Sequence, residues 1–279
     1  MIRALLWSIT ASTPHFKGKF RLFSALSRPG RPPGLVVTRG GARFRLWGHD
    51  LNEWYIATQR NHSSNVSDCL DRLAASRVPC VLWDIGANIG GVALPFLRRH
   101  AEARAICFEP SPEVAGRLLA NLALNPDLAA RCEVVVTPLA DRDGATRFFV
   151  SSETFNSGVG GLGLSHNRGT CGVRTVCQTG DTAALASELP PPTLIKLDVE
   201  GFELEVLNGL VQTLKCHRPA IVFEHSLYRH RERGYAANDV VVSRLRQLEY
   251  EIWSLDGSRR VTDDELGSDC DLLALPRSG

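Results

Sequence analysis

The chain has 279 residues, of which 44% are hydrophobic and 22% charged, and 32 Lys and Arg against 30 Asp and Glu leave a formal charge of +2. That length allows one substantial core and disfavours two large domains. The near balance of charge excludes a dedicated nucleic-acid binder, which must neutralise many phosphates, and no stretch reaches the ~20 consecutive apolar residues of a membrane-spanning helix.

Taken in chain order, residues 1–34 read as a basic N-terminal extension. Residues 1–50 hold nine Lys or Arg and one acid, Asp50. Such an arm either stays solvated or touches an anionic membrane surface, giving a cytoplasmic protein with peripheral membrane contact left open. Eight cysteines (Cys69, Cys80, Cys107, Cys132, Cys171, Cys177, Cys216 and Cys270) lack the paired spacing of a zinc site. Free thiols in a reducing compartment are the expectation.

Residues 35–78 form a lead-in to the core. Alternating residues flank Gly40-Gly41, a hairpin signal, and one or two helices are expected between Asn52 and Ser76. From residue 79 to 279 short apolar runs alternate with amphipathic stretches, the signature of a parallel sheet covered by helices on both faces. The runs are Cys80 to Ile85, Arg104 to Phe108, Cys132 to Pro138, Thr193 to Leu197 and Ala220 to Phe223. Helices are predicted over Val92 to Arg99, Ser111 to Leu124 and Phe202 to Leu214, and Asn238 is a cap for one carrying Val241, Leu245 and Leu248. Tyr250 to Leu255 and Asp271 to Leu275 read as a final antiparallel hairpin turning at Asp256-Gly257. Residues 151–172 are rich in Gly, Ser and Asn and too long for an ordinary connection, so they are either a substrate lid or disordered.

The first buried strand runs into Asp84-Ile-Gly-Ala-Asn-Ile-Gly90-Gly91. Gly86 permits a tight turn off the strand, and Gly90 and Gly91 let a ligand approach the backbone at a helix N-terminus, whose N–H groups suit a carboxylate or a phosphate; Asn88 in the same turn is a further cofactor-binding candidate. An acid at the strand end repels pyrophosphate but accepts hydrogen bonds from an α-ammonium group. The glycine spacing also misses the dinucleotide fingerprint. Together these features point to S-adenosylmethionine, with Asp84 on its ammonium group. The second strand ends in Glu109, about twenty residues further on, where an acid takes both ribose hydroxyls. Asp141, after the third strand, is either an acceptor for the adenine amino group or a turn former before Gly144.

These motifs resemble the FkbM-type family of S-adenosylmethionine-dependent methyltransferases. The resemblance rests on Asp84 to Gly90, on Phe108-Glu109-Pro110, on Ile195-Lys-Leu-Asp198-Val-Glu200-Gly-Phe-Glu203, and on Arg218-Pro219 through Glu224. It covers about Gly41 to Leu255, and the Asp198 to Gly201 block is its more discriminating part. The resemblance implies a Rossmann-like class I α/β fold with a mostly parallel seven-stranded sheet, and methyl transfer to a hydroxyl of a sugar, glycolipid or polyketide-like molecule. The Gly-rich insert and the basic extension depart from the pattern, so the acceptor and the oligomeric state are not specified.

Ligands of open α/β sheets sit beyond the carboxyl ends of the strands. Asp198, and Glu224 with His225, should therefore border one crevice, with Asp198 shared between cofactor and chemistry. A hydroxyl acceptor needs its proton removed, and His225, Glu200 or Glu203 could do so. Lys196 and Asp198 share one side of their strand and could pair as buried charges. A divalent metal on Glu200, Glu203, Glu224 and His225 is the less favoured arrangement, since no compact ligand motif is present. Rival readings are a non-catalytic nucleotide-binding module and a nicotinamide-dependent oxidoreductase.

Overall fold

A computed structural model describes residues 35–46, 51–58, 64–151, 161–162, 170–235 and 239–277. The basic extension, Asn238 and both tips of the Gly-rich insert lie outside these residues. Among the described residues no helix is long and apolar enough to cross a membrane.

Seven strands build the central sheet: β3 (Val81–Ile85), β4 (Arg104–Phe108), β5 (Cys132–Val135), β9 (Leu194–Leu197), β10 (Ala220–His225), β11 (Tyr250–Ser254) and β12 (Cys270–Pro276). Their order is β11-β12-β10-β9-β3-β4-β5, and only β12 runs antiparallel to its neighbours. The sheet starts at β3 and grows outward both ways, first to β4 and β5, then to β9 and β10. The chain therefore reverses direction across the sheet between β3 and β9, where a crevice opens beyond the strand ends.

Both faces of the sheet are apolar at its centre, where β3, β4, β9 and β10 are buried on both sides almost throughout. On one face Leu82, Ala105, Cys107, Leu194 and Val222 pack against α2 (Ser64–Ala74), α3 (Ala93–Arg99) and α4 (Pro112–Ala123). On the other, Trp83, Ile106, Ile195, Ile221 and Phe223 meet α7 (Glu203–Asn208), α8 (Val211–His217) and α10 (Val240–Gln247). The Ser111 side chain caps α4 by accepting the N–H of Val114.

The predicted hairpin is present as β1 (Leu35–Arg39) and β2 (Ala42–Leu46), followed by α1 (Leu51–Thr58) and then α2. Two asparagines on α4 and just beyond it dock it. Asn121 Oδ1 accepts the N–H of Arg45 at 2.8 Å, and Asn125 both accepts from Arg43 N–H at 2.9 Å and donates to its carbonyl at 2.8 Å. An edge strand is thus satisfied by side-chain amides in place of a neighbouring strand.

Three expectations change. The helix predicted over Phe202 to Leu214 is two helices, α7 and α8, broken at Gly209, where a Cβ would stand 2.0 Å from the carbonyl oxygen of Ala140. The Gly-rich insert at residues 151–172 is framed by strands rather than simple coil: β6 (Gly144–Ser151) and β8 (Thr170–Cys177), which run up to and away from it, pair with β7 (Gly161–Leu162) as a small antiparallel sheet. The turn at Asp256-Gly257 closes on Ser254, but a further stretch with a capping box at Thr262 and Glu265 intervenes before β12. Cys69, Cys80, Cys107, Cys132, Cys177, Cys216 and Cys270 are free thiols.

Candidate active site

A cavity of about 510 Å³ opens at the carboxyl ends of the strands where the chain reverses. Its floor is the turn from Ile85 to Ile89 together with Lys196 to Glu200. One end is walled by Phe108 to Ser111 and Thr137 to Leu139, the other by Val222 to Glu224 and Asp269 to Asp271. Asn52, Tyr55 and Ile56 of α1 close the outer side, and Phe148 of β6 reaches in from the small antiparallel sheet. Pockets for drug-sized ligands and cofactors run to roughly 300–1,000 Å³, so one organic cofactor and part of an acceptor fit.

The turn leaving β3 is forced tight by its neighbour. Gly86 has φ +83°, and a Cβ there would lie 1.8 Å from the carbonyl oxygen of Asp198, so the position admits only glycine. Gly90 was expected to let a ligand approach. Its missing side chain instead faces Leu94 and Leu118, so it serves the packing of α3 and α4, while Gly91 lines the cavity. Asn88 sits in the left-handed region at φ 49°, and its amide meets the next element.

That element is the end of β4. Glu109 Oε2 accepts the N–H of Asn88 at 3.0 Å, and Oε1 accepts the N–H of Ser111 at 3.0 Å. Burial pushes the Glu109 carboxyl up to about 7 against these two hydrogen bonds. Asp84 and Glu109 thus end adjacent strands, since Asp84 pairs with Cys107 in the β3–β4 register.

Asp84 itself is buried and is not among the residues lining the cavity. It faces Lys196, whose Nζ lies 3.5 Å from Asp84 Oδ1, 3.0 Å from Asp198 Oδ2 and 3.1 Å from the Gly86 carbonyl. Burial opposes the Lys196 charge, yet Asp198 and Asp84 outweigh it and hold the ammonium above its ordinary range. Burial raises the Asp84 carboxyl, partly offset by Lys196. The expected Lys196–Asp198 pair is therefore a three-membered cluster bracing the turn, and Asp198, with its side chain 43% exposed, is the acid on the cavity wall.

Glu200 and Glu224 also line the cavity. Glu200 accepts from Arg229 at 2.7 Å. Burial, joined by the acids Asp198, Glu200, Glu203 and Asp271, raises the Glu224 carboxyl to about 9. Glu203 is buried below the site, accepting the N–H groups of Val199 and Gly201 at 3.1 Å each, and so shapes the turn after β9. His225 does not reach the crevice. β10 continues through His225, so its two-residue alternation sends Glu224 to the cavity and His225 to the opposite face. There the ring is buried, with Nε2 3.3 Å from the Leu266 carbonyl. Asp141 is exposed beside Arg142 and away from the cavity; its neighbour Asp143 accepts from Thr179 N–H and from the Thr182 hydroxyl instead. Among the described residues no group of three or more His, Cys, Asp or Glu is arranged for a metal ion.

The model of the methyltransferase FkbM domain matches residues 84–252, which include the glycine turn, Glu109, Asp198 and Glu224. The chain belongs to the FkbM methyltransferase family. Its relatives within methyltransferases include the hexuronic acid methyltransferase AglP of Haloferax volcanii, 32% identical over 146 residues that make up 52% of this chain and 56% of that protein. The chain thus spans about half the length of this curated relative. Methyltransferase FkbM from Methylobacillus flagellatus is 18% identical over 91% of this chain and 57% of its own, with a TM-score of 0.49. An O-methyltransferase family protein from Burkholderia thailandensis is 13% identical over 82% and 60% of the two chains, with a TM-score of 0.46. In this FkbM-family chain the wall residues Asn52, Tyr55, Asp269 and Asp271 fall outside the matched span, and sequence reasoning did not single them out. Asp271 had a signal: it begins a predicted strand, and an antiparallel neighbour of β10 brings its first residue beside Glu224.

Proposed function

We propose that this chain is an S-adenosylmethionine-dependent O-methyltransferase acting on a hydroxyl of a sugar or related polyhydroxy molecule. The observation that carries the reading is one cavity with Glu109 at one end, Glu224 at the other and Asp198 on the floor between them, at the point where strand order reverses. The family match supports methyl transfer over nicotinamide chemistry.

The residues present fit the cofactor. Glu109 lines the cavity while each of its oxygens accepts one backbone N–H, which leaves lone pairs for ribose hydroxyls. Asp198, held by Lys196 and open to the cavity, suits the α-ammonium group that the sequence assigned to Asp84. Phe108 and Leu139 offer apolar surface for the adenine. When bound, the cofactor supplies an electrophilic methyl group on a sulfonium.

The chain's own part is to hold the acceptor in line and to take its proton. Glu224 replaces His225 in that second role. Its carboxylate faces the cavity, and a raised pKa makes it a stronger base once ionised. Glu224 would take the proton of the acceptor hydroxyl, while the bound cofactor would give up its methyl group to that oxygen and leave as the neutral thioether S-adenosylhomocysteine. Glu200, fixed by Arg229, stands beside it as a second acceptor for substrate hydroxyls.

Calorimetric titration with S-adenosylmethionine, S-adenosylhomocysteine and NAD tests the cofactor, and tritiated-methyl transfer into fractionated cell extract tests the chemistry. Binding of the adenosyl compounds alone, with label in a carbohydrate fraction, is the expected result. Tighter binding of NAD, or no label in any fraction, would sink the reading.

A further inference from the structure

The two halves of the cavity lie under different helices. α2 packs against β9 and β10, and α3 against β4. Val66, in the first turn of α2, shares a core cluster with Leu194 and Val222, while Asp71 nearer its other end pairs with Arg99 and His100 at the end of α3. The two helices therefore run down one face of the sheet, and the first turn of α2 sits at the carboxyl ends of β9 and β10. Two-residue alternation puts Glu224 on that face, two residues beyond Val222. Glu109 ends β4, and both β3 and β9 separate β4 from β10.

Val66 and Ser67 line the cavity. Ser67 is half-buried there, and among the described residues its hydroxyl has no hydrogen-bond partner. The residues that fit the cofactor, namely Glu109, Asp198, Phe108 and Leu139, all fall within the matched span of 84–252, whereas α2 precedes it. Cofactor binding is thus complete without α2, which leaves its first turn for a second ligand.

We infer that the first turn of α2 belongs to the acceptor site, and that Ser67 is a specificity-determining residue there, hydrogen-bonding an acceptor hydroxyl other than the one that is methylated. The inference rests on the O-methyltransferase reading above and deepens it. A serine hydroxyl both donates and accepts, so it pairs with another hydroxyl in either sense. Glu224 takes the proton of one hydroxyl while Ser67, on the helix packed against the same strand, holds a second. Two fixed points orient a polyhydroxy ring and so decide which of its similar hydroxyls meets the methyl group. Serine is also small, and a larger side chain at this position would intrude on the acceptor half of the cavity.

The test takes as acceptor the extract fraction that the wild-type chain labels with tritiated methyl, and follows transfer over a dilution series of that fraction. Calorimetry with S-adenosylhomocysteine reads the cofactor half separately. In Ser67→Ala the half-saturating amount of the fraction should rise about 3–10-fold, the scale of one hydrogen bond, while the saturated rate and the S-adenosylhomocysteine affinity stay within about twofold of wild type. Alanine favours a helix, so this variant keeps the fold. Ser67→Leu should cut transfer from the dilute fraction by ~30-fold or more. Asp68→Asn, at the exposed next position of α2, should change none of these quantities. An unchanged dilution curve in Ser67→Ala overturns the inference. So does an S-adenosylhomocysteine affinity that falls by about fivefold or more in that variant, which would assign α2 to the cofactor. A wild-type chain that binds no S-adenosylhomocysteine or labels no fraction sinks the methyltransferase reading and the inference with it, a failure that shows before any variant is made.

Discussion

Glu109 accepts the backbone N–H of Asn88 at 3.0 Å, so the acid that ends β4 and the turn that leaves β3 form one hydrogen-bonded unit. Replacing Glu109 by Ala removes a ribose acceptor and also frees the Asn88 and Ser111 N–H groups. Cofactor affinity is expected to weaken by about 1–3 kcal/mol, the usual cost of losing charge-assisted hydrogen bonds. Calorimetry with S-adenosylhomocysteine reads this directly, and unchanged affinity would place the ribose elsewhere.

The pH dependence of that binding has a definite sign. The Glu109 carboxyl titrates near 7, and only its ionised form pairs strongly with hydroxyls. Affinity for S-adenosylhomocysteine should therefore fall as pH drops below about 7. In Glu109→Gln the affinity should be low and flat across the same range.

Glu224→Gln should lower turnover by on the order of 100-fold or more, as loss of a general base does. Since kcat/KM reports groups of the free enzyme, it should rise with pH toward about 9 in the wild type and lose that limb in the variant. His225→Gln should keep the limb, because the ring lies on the other face of the sheet. A lost limb in His225→Gln would reinstate the histidine as base.

The same glutamate should weaken the fold. Its folded pKa of about 9 exceeds the 4.5 of an unperturbed glutamate, so between those values the native state keeps a proton that the unfolded chain releases. Stability contributed here is present at low pH and is lost as pH rises through that window. Glu224→Gln should therefore be more stable than wild type at pH 8 by on the order of 1–3 kcal/mol, with the difference vanishing below about pH 5. Urea melts at the two pH values check it.

Lys196→Met would leave Asp84 buried without its counter-charge, a change that typically costs about 3–5 kcal/mol. Adding Asp84→Asn should recover a large part of that loss, because the burden is the orphaned carboxylate. Thermal melts of the two single variants and the double variant measure the coupling. Additive losses would show that the pair acts through separate contacts.

Much of this arrangement was legible in the sequence because buried parallel strands are short apolar runs. β4 appears at its predicted bounds and β3 within a residue of them. The Lys196–Asp198 pairing followed from side-chain alternation alone. His225 was misplaced by reading the strand as ending at Phe223; two more residues of β10 turn its side chain away from the cavity. The break at Gly209 depends on the Ala140 carbonyl nearly seventy residues away in the chain, a contact that no local pattern encodes. The strands that frame the insert were passed over beside its glycines and serines, although Ala145 to Val150 and Val173 to Cys177 carry strand-forming residues. Asp84 was assigned to the ligand from its position at a strand end, and only the third dimension shows Lys196 beneath it.

The place of β12 bears on how the protein can be cut. The family match stops at residue 252, yet β12 lies between β10 and β11, and the outer cavity wall comes from α1, well before residue 84. A fragment trimmed to the match would strand β11 without a neighbour, leave β10 with a bare edge prone to self-association, and open the pocket to bulk water. Expression boundaries and chimeric swaps therefore have to enclose at least Leu35 through Arg277.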